Sequence, residues 1–95
     1  MIRHVVLFRL NESATTERVA QICSELTGLA CLGGTAFTVG ADLGLRPGTM
    51  DLAVVADFES VEAFTAYDQD AEHDRIRREL IAPIAERIER CQFEV

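Results

Sequence analysis

Asp51-Leu52-Ala53-Val54-Val55-Ala56-Asp57-Phe58 is the stretch on which the fold turns. Its near-continuous apolar run predicts a strand buried on both faces, the central strand of a sheet. Ile2 to Leu10 reads as its companion. Ile2, His4, Val6, Phe8 and Leu10 fall on one face, and Arg3, Val5, Leu7 and Arg9 on the other. The first face is apolar apart from His4. The second is apolar in its middle, where Val5 and Leu7 stand. A strand with one wet face would not carry them there, so both faces need a cover.

The remaining elements follow outward from these two. Thr15 or Thr16 can cap a helix with Glu17 in its first turn. Val19, Ile22, Cys23, Leu26, Leu29 and Ala30 then give one apolar stripe, and Gly33-Gly34 stops it. Thr35 to Ala41 predicts a second strand. Asp42 to Thr49, with Gly44, Pro47 and Gly48, is a loop. Ser60 caps a second helix, on which Val61, Phe64 and Tyr67 recur every three residues. The stretch from Asp68 to Glu72 is an acidic turn, and helical spacing resumes with Ile76 and Leu80. Pro83 kinks that helix or starts a new one carried on by Ile84 and Ile88. Cys91 to Val95 closes the chain as a short strand.

The order β-α-β-β-α-(α)-β predicts an α+β, ferredoxin-like domain: four antiparallel strands with helices on one face. Helices on one face leave the other bare. The same sheet from a second copy covers it at least cost, which makes a homodimer through the sheet face, a dimeric α/β barrel, the expected assembly. At 95 residues the chain is one domain, residues 1–95. A domain of this size buries only roughly 60–65% of its unfolded surface, so a partner helps.

Charge excludes two classes of partner. Nine basic against 16 acidic residues leave a net charge of −7, which opposes binding to nucleic acid or an anionic membrane. The opening apolar run is too short to span a bilayer, is interrupted by Arg9, and lacks a signal-peptide cleavage site, so a cytoplasmic protein is expected. Cys23, Cys31 and Cys91 fit no zinc spacing and read as buried, unreactive thiols. No metal or cofactor is expected. Asp68, Asp70, Glu72 and Glu79 approach a calcium-loop spacing, but His73 stands where that loop needs glycine.

The whole chain resembles the stress-responsive A/B-barrel (Dabb) family. The likeness lies in Ile2 to Leu10, in Val39-Gly40-Ala41-Asp42, in Asp51 to Ala63, in Tyr67 to His73 against a Tyr-x-x-His-Pro-x-His motif, in Pro83, and in Cys91 to Val95. The resemblance implies a dimeric α+β barrel. It also implies, from some members, a cofactor-free polyketide cyclase or aldol-type lyase with its pocket between sheet and helices. His4 matches the family's first-strand histidine, and Tyr67 and His73 match the tyrosine and second histidine of the later motif. The motif's first His-Pro is Asp70-Ala71 here, and Leu26 stands where a cyclase member has tyrosine.

His73 with His4 is the candidate acid–base pair, since imidazole titrates near neutral pH. His73 is assigned as base. His4 and Tyr67 orient it and the substrate, and Tyr67 can donate its hydroxyl to His73 or to a substrate oxygen. Asp70, three residues before His73, can raise its pKa or fix its tautomer. Leu26, Phe8, Phe64 and Asp70 are the expected substrate-binding residues, for a small apolar carbonyl-containing ligand. Two other readings stand beside this one: a non-catalytic dimer that binds a small ligand or supports stress tolerance, and a cofactor-free monooxygenase-like relative. In the non-catalytic reading His4 is a satisfied core histidine, and His73 and Tyr67 cap a helix junction.

Overall fold

The computed structural model describes residues 1–31 and 34–95. Its strands are β1 (Ile2–Leu10), β2 (Gly34–Ala41), β3 (Leu52–Phe58) and β4 (Ala85–Glu94). Its α-helices are α1 (Thr16–Thr27), α2 (Val61–Asp68) and α3 (Ala71–Ile76). The strands form one antiparallel sheet in the order β2-β3-β1-β4. This is the split βαβ arrangement expected of a ferredoxin-like domain.

Alternation along the strands decides what each face holds. In β1, His4, Val6 and Phe8 are buried while Leu7 is exposed; in β3, Leu52, Val54, Ala56 and Phe58 are all buried. These side chains face the helices and join Ile22, Leu26, Leu29, Tyr67, Ile76, Leu80, Ile81 and Ile84 in one core. The opposite face carries Val5, Leu7, Ala53 and Val55, with Thr38 and Gly40 from β2 and Cys91 and Phe93 from β4, by strand register. Within one chain that face is only half-covered, so the expectation of strands buried on both sides is not met by a single copy. Arg3 and Asp57 also lie there, joined by two hydrogen bonds of 2.8 and 2.9 Å.

Each helix start is capped as its sequence requires. Thr15 accepts from the Arg18 amide, Ser60 from Ala63, and Asp70 from both Glu72 and His73. Helix α1 ends sooner than expected, at Gly28, and a 3₁₀ turn over Gly28–Cys31 keeps Leu29 in the core. The expected stop at Gly33 and the side chains of Ala30 and Cys31 lie outside the described residues. Val61 does not join Phe64 and Tyr67 in the core but is 61% exposed. The other two cysteines also depart from expectation, with Cys23 half-buried and Cys91 exposed.

The largest departure follows Pro83. No helix continues through Ile84 and Ile88. A π turn over Arg77–Ile81 and a 3₁₀ turn over Ala82–Ile84 end the helical run, and the backbone is extended from Ala85. Proline has no amide hydrogen, and its ring crowds the carbonyl four residues back. The junction is then pinned from outside: the Asn11 amide donates to Ile84 O at 2.8 Å and its side chain to Pro83 O at 3.1 Å. The last strand is therefore ten residues long and runs the full length of β1. Its charged Glu86-Arg87 and Glu89-Arg90 pairs imitate a helix surface.

Phe58 is 1% exposed and packs edge-on against Phe64 and at a tilt on Tyr67. Phe58→Ala is expected to cost about 3–5 kcal/mol in urea unfolding, whereas Val61→Ala should stay within about 0.5 kcal/mol.

Candidate functional site

A cavity of about 310 Å³ opens between the sheet and the segment running from α2 through the π turn. Its floor is His4, Val6 and Phe8 of β1, with Val54 of β3 and Ile88 of β4. Leu26, Tyr67, His73 and Ile81 close it from the helices. Arg77, Arg78 and Arg90, together with Asp68 and Asp74, supply the charged groups that line it. The wide π turn is what brings Arg77, Arg78 and Ile81 to the cavity wall. Such turns recur at functional sites because they re-aim side chains that an α-helix would space evenly.

Tyr67 organises the aromatic interior. Its ring lies 4.2 Å from that of His73, 6.1 Å from that of His4 and 5.0 Å from that of Phe58. All three polar rings are buried: Tyr67 is 2% exposed, His4 4% and His73 6%. His73 Nδ1 lies 3.0 Å from the Tyr67 backbone carbonyl. A carbonyl oxygen only accepts, so His73 carries its proton on Nδ1 and presents a bare lone pair at Nε2. His4 Nδ1 lies 2.9 Å from Gln92 Nε2 on β4. No buried side-chain nitrogen or oxygen among the described residues lacks a partner. His4, Tyr67 and His73 line the cavity, and the Nε2 atoms of both histidines and the Tyr67 hydroxyl, unbonded among the described residues, are therefore not fully buried.

Burial sets the charge states. It lowers the His4 pKa from 6.5 to about 4. Asp68 opposes this, while His73, Arg90 and Arg77 assist it. His73 is also lowered, chiefly by burial and further by Arg77, against the Tyr67 carbonyl bond and the carboxylates of Asp68 and Asp70. The Tyr67 hydroxyl is pushed up to about 12 by burial, so it remains a donor. Two neutral imidazoles and a phenol are thus the working groups at neutral pH. Arg77 is held by Asp68, with its side chain on Oδ1 at 3.0 Å and on the Asp68 carbonyl at 2.6 Å. Arg78 pairs with Asp74 at 3.4 Å.

His4, Tyr67, His73, Leu26 and Phe8 come together as expected from the sequence. Phe64 does not line the cavity but stands behind His4, ring to ring at 5.0 Å. Asp70 is also outside it. Its carboxylate is spent on the amides of Glu72 and His73, so it holds the start of α3 and does not touch the His73 ring. The tautomer of His73 is set by the Tyr67 carbonyl, not by Asp70, and the Tyr67 hydroxyl does not bond His73. The acidic stretch is consumed likewise: Asp68 binds Arg77, and Glu72 binds Arg75, which also reaches Glu25 on α1. Among the described residues no group of three His, Cys, Asp or Glu side chains is set to hold a metal ion. No described helix is long and apolar enough to cross a membrane.

Gln92, Arg90 and Ile88 were not reached from the sequence. Ile88 and Arg90 line the cavity because β4 starts at Ala85, while Gln92 touches His4 without lining it; the three stand opposite Phe8, Val6 and His4 in the register. Their signal was an alternation at even positions that the helix-like charge pattern obscured.

These features define a ferredoxin-like α+β domain with a cavity of about 310 Å³ between its sheet and its helices. The model of the stress-responsive A/B barrel domain (Dabb) family matches residues 2–95, and the chain belongs to that family. Among solved structures, a dimeric ferredoxin-like protein of unknown function from Thermobifida fusca is 36% identical, covering 99% of this chain and 90% of that one, with a TM-score of 0.90. A Dabb family protein from Mesorhizobium loti is 19% identical over 99% and 95% of the two chains, with a TM-score of 0.81. The hydroxynitrile lyase of Passiflora edulis is 21% identical over 99% and 92%, with a TM-score of 0.84. A search of curated proteins found no match.

The burial of His4 has a measurable consequence. Its folded pKa lies below its unfolded value, so between about 4 and 6.5 the unfolded chain binds more protons. The stability it contributes is complete above pH 6.5, falls as pH drops toward 4, and levels off below. The loss should reach up to about 3 kcal/mol, with His73 adding in the same direction. Urea unfolding at stepped pH should show this limb, and His4→Gln should flatten it.

Proposed function

We propose that the protein is a homodimer whose cavity takes a small, largely apolar carbonyl compound and performs cofactor-free lyase or cyclase chemistry, with His73 as general base. The observation that carries the reading is His73 in the cavity wall with Nδ1 on the Tyr67 carbonyl, which leaves Nε2 bare. A positioned neutral imidazole can remove a proton from a carbon next to a carbonyl. The C–H electron pair moves into the carbonyl, giving an enolate, and the proton stays on His73 as imidazolium. Attack of the enolate on a second carbonyl of the same molecule forms the new C–C bond and an alkoxide. His73 returns its proton to that alkoxide and is neutral again. Run backward, the same sequence is an aldol-type cleavage.

The Tyr67 hydroxyl, kept protonated by burial, is a donor for the oxygen on which charge develops. Leu26, Phe8, Val6, Val54 and Ile81 supply an apolar wall that suits a carbon-rich body. The lyase from Passiflora edulis supports the reading as a case of this fold hosting related chemistry.

An enolisable ketone probes the first step without knowledge of the natural substrate. The protein is expected to speed exchange of the α-protons of benzylacetone in D₂O, followed by proton NMR. His73→Ala should lower that rate by roughly 10²–10⁴-fold, the usual worth of a positioned base. Exchange no faster than buffer, or undiminished in His73→Ala, would overturn the base assignment and leave a binding protein.

The dimer rests on the bare sheet face. Leu7 is 38% exposed and Phe93 45%, and Leu43 and Leu45 in the neighbouring loop are 81% and 84% exposed. Val55, Ala53 and Leu7 line a groove with that loop. A patch of this kind calls for a partner, and the Thermobifida fusca relative is itself described as dimeric. Sedimentation velocity should give a dimer, and Val55→Asp should yield a folded monomer. A monomeric wild type at micromolar concentration would sink the assembly.

A further inference from the structure

His4 and His73 are the same side chain in the same cavity, yet their Nδ1 atoms meet opposite partners. The partner of His73 is a backbone carbonyl oxygen, which can only accept. The partner of His4 is the amide nitrogen of Gln92, which can only donate. A donor at Nδ1 requires that nitrogen to be bare, so the ring proton of a neutral His4 sits on Nε2. Gln92 and His4 are direct cross-strand neighbours in the β1–β4 register, so the contact is built into the sheet.

We infer that Gln92 is a positioning residue that fixes His4 as its Nε2–H tautomer. His4 thereby becomes the hydrogen-bond donor to the carbonyl oxygen whose neighbouring carbon His73 deprotonates. The inference rests on the base assignment of His73 for its chemical meaning. It does not rest on it for the tautomer. The two imidazoles then divide the work, one with a lone pair toward the cavity and one with an N–H. A neutral imidazole is a competent donor to a developing enolate, and it holds no charge that would bind water in the ground state.

The groups facing His4 agree with a neutral ring. The surrounding rings are Phe64 and Tyr67. Of the charged and titratable groups, His73, Arg90 and Arg77 disfavour the imidazolium and only Asp68 favours it. The proton balance of the step is unchanged. His73 gains the α-proton, the carbonyl oxygen gains the electron pair, and His4 keeps its own proton while sharing it.

Histidine tautomers are read directly by ¹⁵N-edited NMR of the histidine-labelled dimer at neutral pH. The expected spectrum has His4 protonated at Nε2 and bare at Nδ1, with His73 the reverse. Gln92→Glu replaces a donor by an acceptor, so it should move the His4 proton to Nδ1 and raise its pKa, leaving His73 as it was. Gln92→Leu should leave His4 a mixture of tautomers, and it serves if the glutamate variant does not fold. In benzylacetone exchange, Gln92→Glu should lower kcat by at least about tenfold with little change in KM, since a well-placed oxyanion donor is worth roughly 10²–10³ in kcat.

A wild-type His4 protonated at Nδ1, or a tautomer indifferent to both substitutions, would overturn the positioning role. Expected tautomers with exchange unmoved by Gln92→Glu but lost in His73→Ala would overturn the donor role. Exchange unmoved by His73→Ala is a different result, and it removes the base assignment while the tautomer of His4 stands.

Discussion

Strand β1 lies between β3 and β4, bonded on both edges, and its side chains alternate between two environments. That alternation is the constraint on which the rest depends. It commits His4, Val6 and Phe8 to the helix side, where they form the cavity floor, and Val5 and Leu7 to the bare side. A slip of one residue would put a histidine on the open face and two branched chains in the cavity. Register here is held by the paired ladders on both edges. It is also held by Asp51, whose carboxylate accepts from the Leu10 amide at 2.8 Å and whose own amide donates to the Phe8 carbonyl at 2.8 Å.

The second element of the site is a helix break. Helix α2 ends at Asp68, α3 begins after Asp70, and the chain reverses just enough for His73 Nδ1 to reach back six residues to the Tyr67 carbonyl. In an uninterrupted helix that carbonyl would bond the amide four residues on. The break leaves it only a 3.3 Å bond from the Asp70 amide and room for the His73 ring, and the Asp70 carboxylate stabilises the restart. The departure from the family motif at Asp70-Ala71 thus leaves the geometry of Tyr67 and His73 intact. Asp70 supplies a cap, and its carboxylate contributes only distantly to the His73 charge state. Two arginines at the cavity wall are balanced by Asp68 and Asp74. A third, Arg90, lines the cavity without an ion-pair partner among the described residues, so the wall carries one more positive than negative group.

Much of this was legible in the sequence because period-two patterns are strong signals. The apolar runs at β1 and β3 announced their strands. The caps at Thr15 and Ser60 follow from side-chain chemistry that acts locally. What escaped depended on contacts distant in sequence. Ala85 to Glu94 is rich in Glu and Arg at helical spacing and becomes a strand because Pro83 ends the helix and β1 offers an open edge. The sequence placed Gln92 in the closing strand Cys91 to Val95 but left that strand's register on β1 open, so Gln92 had no visible route to His4, 88 residues away. Asp70 does raise the His73 pKa, but its expected contact with the ring and place in the cavity failed for a related reason. Spacing brought it near His73, but spacing does not say whether a carboxylate meets the ring or the backbone.

The two faces of β1 are linked in a way that bears on the proposed pairing of two copies. Val5 and Leu7 sit between His4, Val6 and Phe8 on one continuous backbone, and Cys91 and Glu89 stand opposite them on β4. β4 is an edge strand bonded on one side only, and it is the strand that carries Arg90 to the cavity and Gln92 to His4. An edge strand held by one ladder is the part of a sheet most ready to fray. Covering the bare face of β1 and β4 with a second copy would stiffen that edge from below. The amide–imidazole contact above it is short and directional, and it tolerates little relative motion of the two strands. In the proposed dimer the partner would therefore contribute to the site without reaching into it, by holding still the strand that sets the orientation of His4.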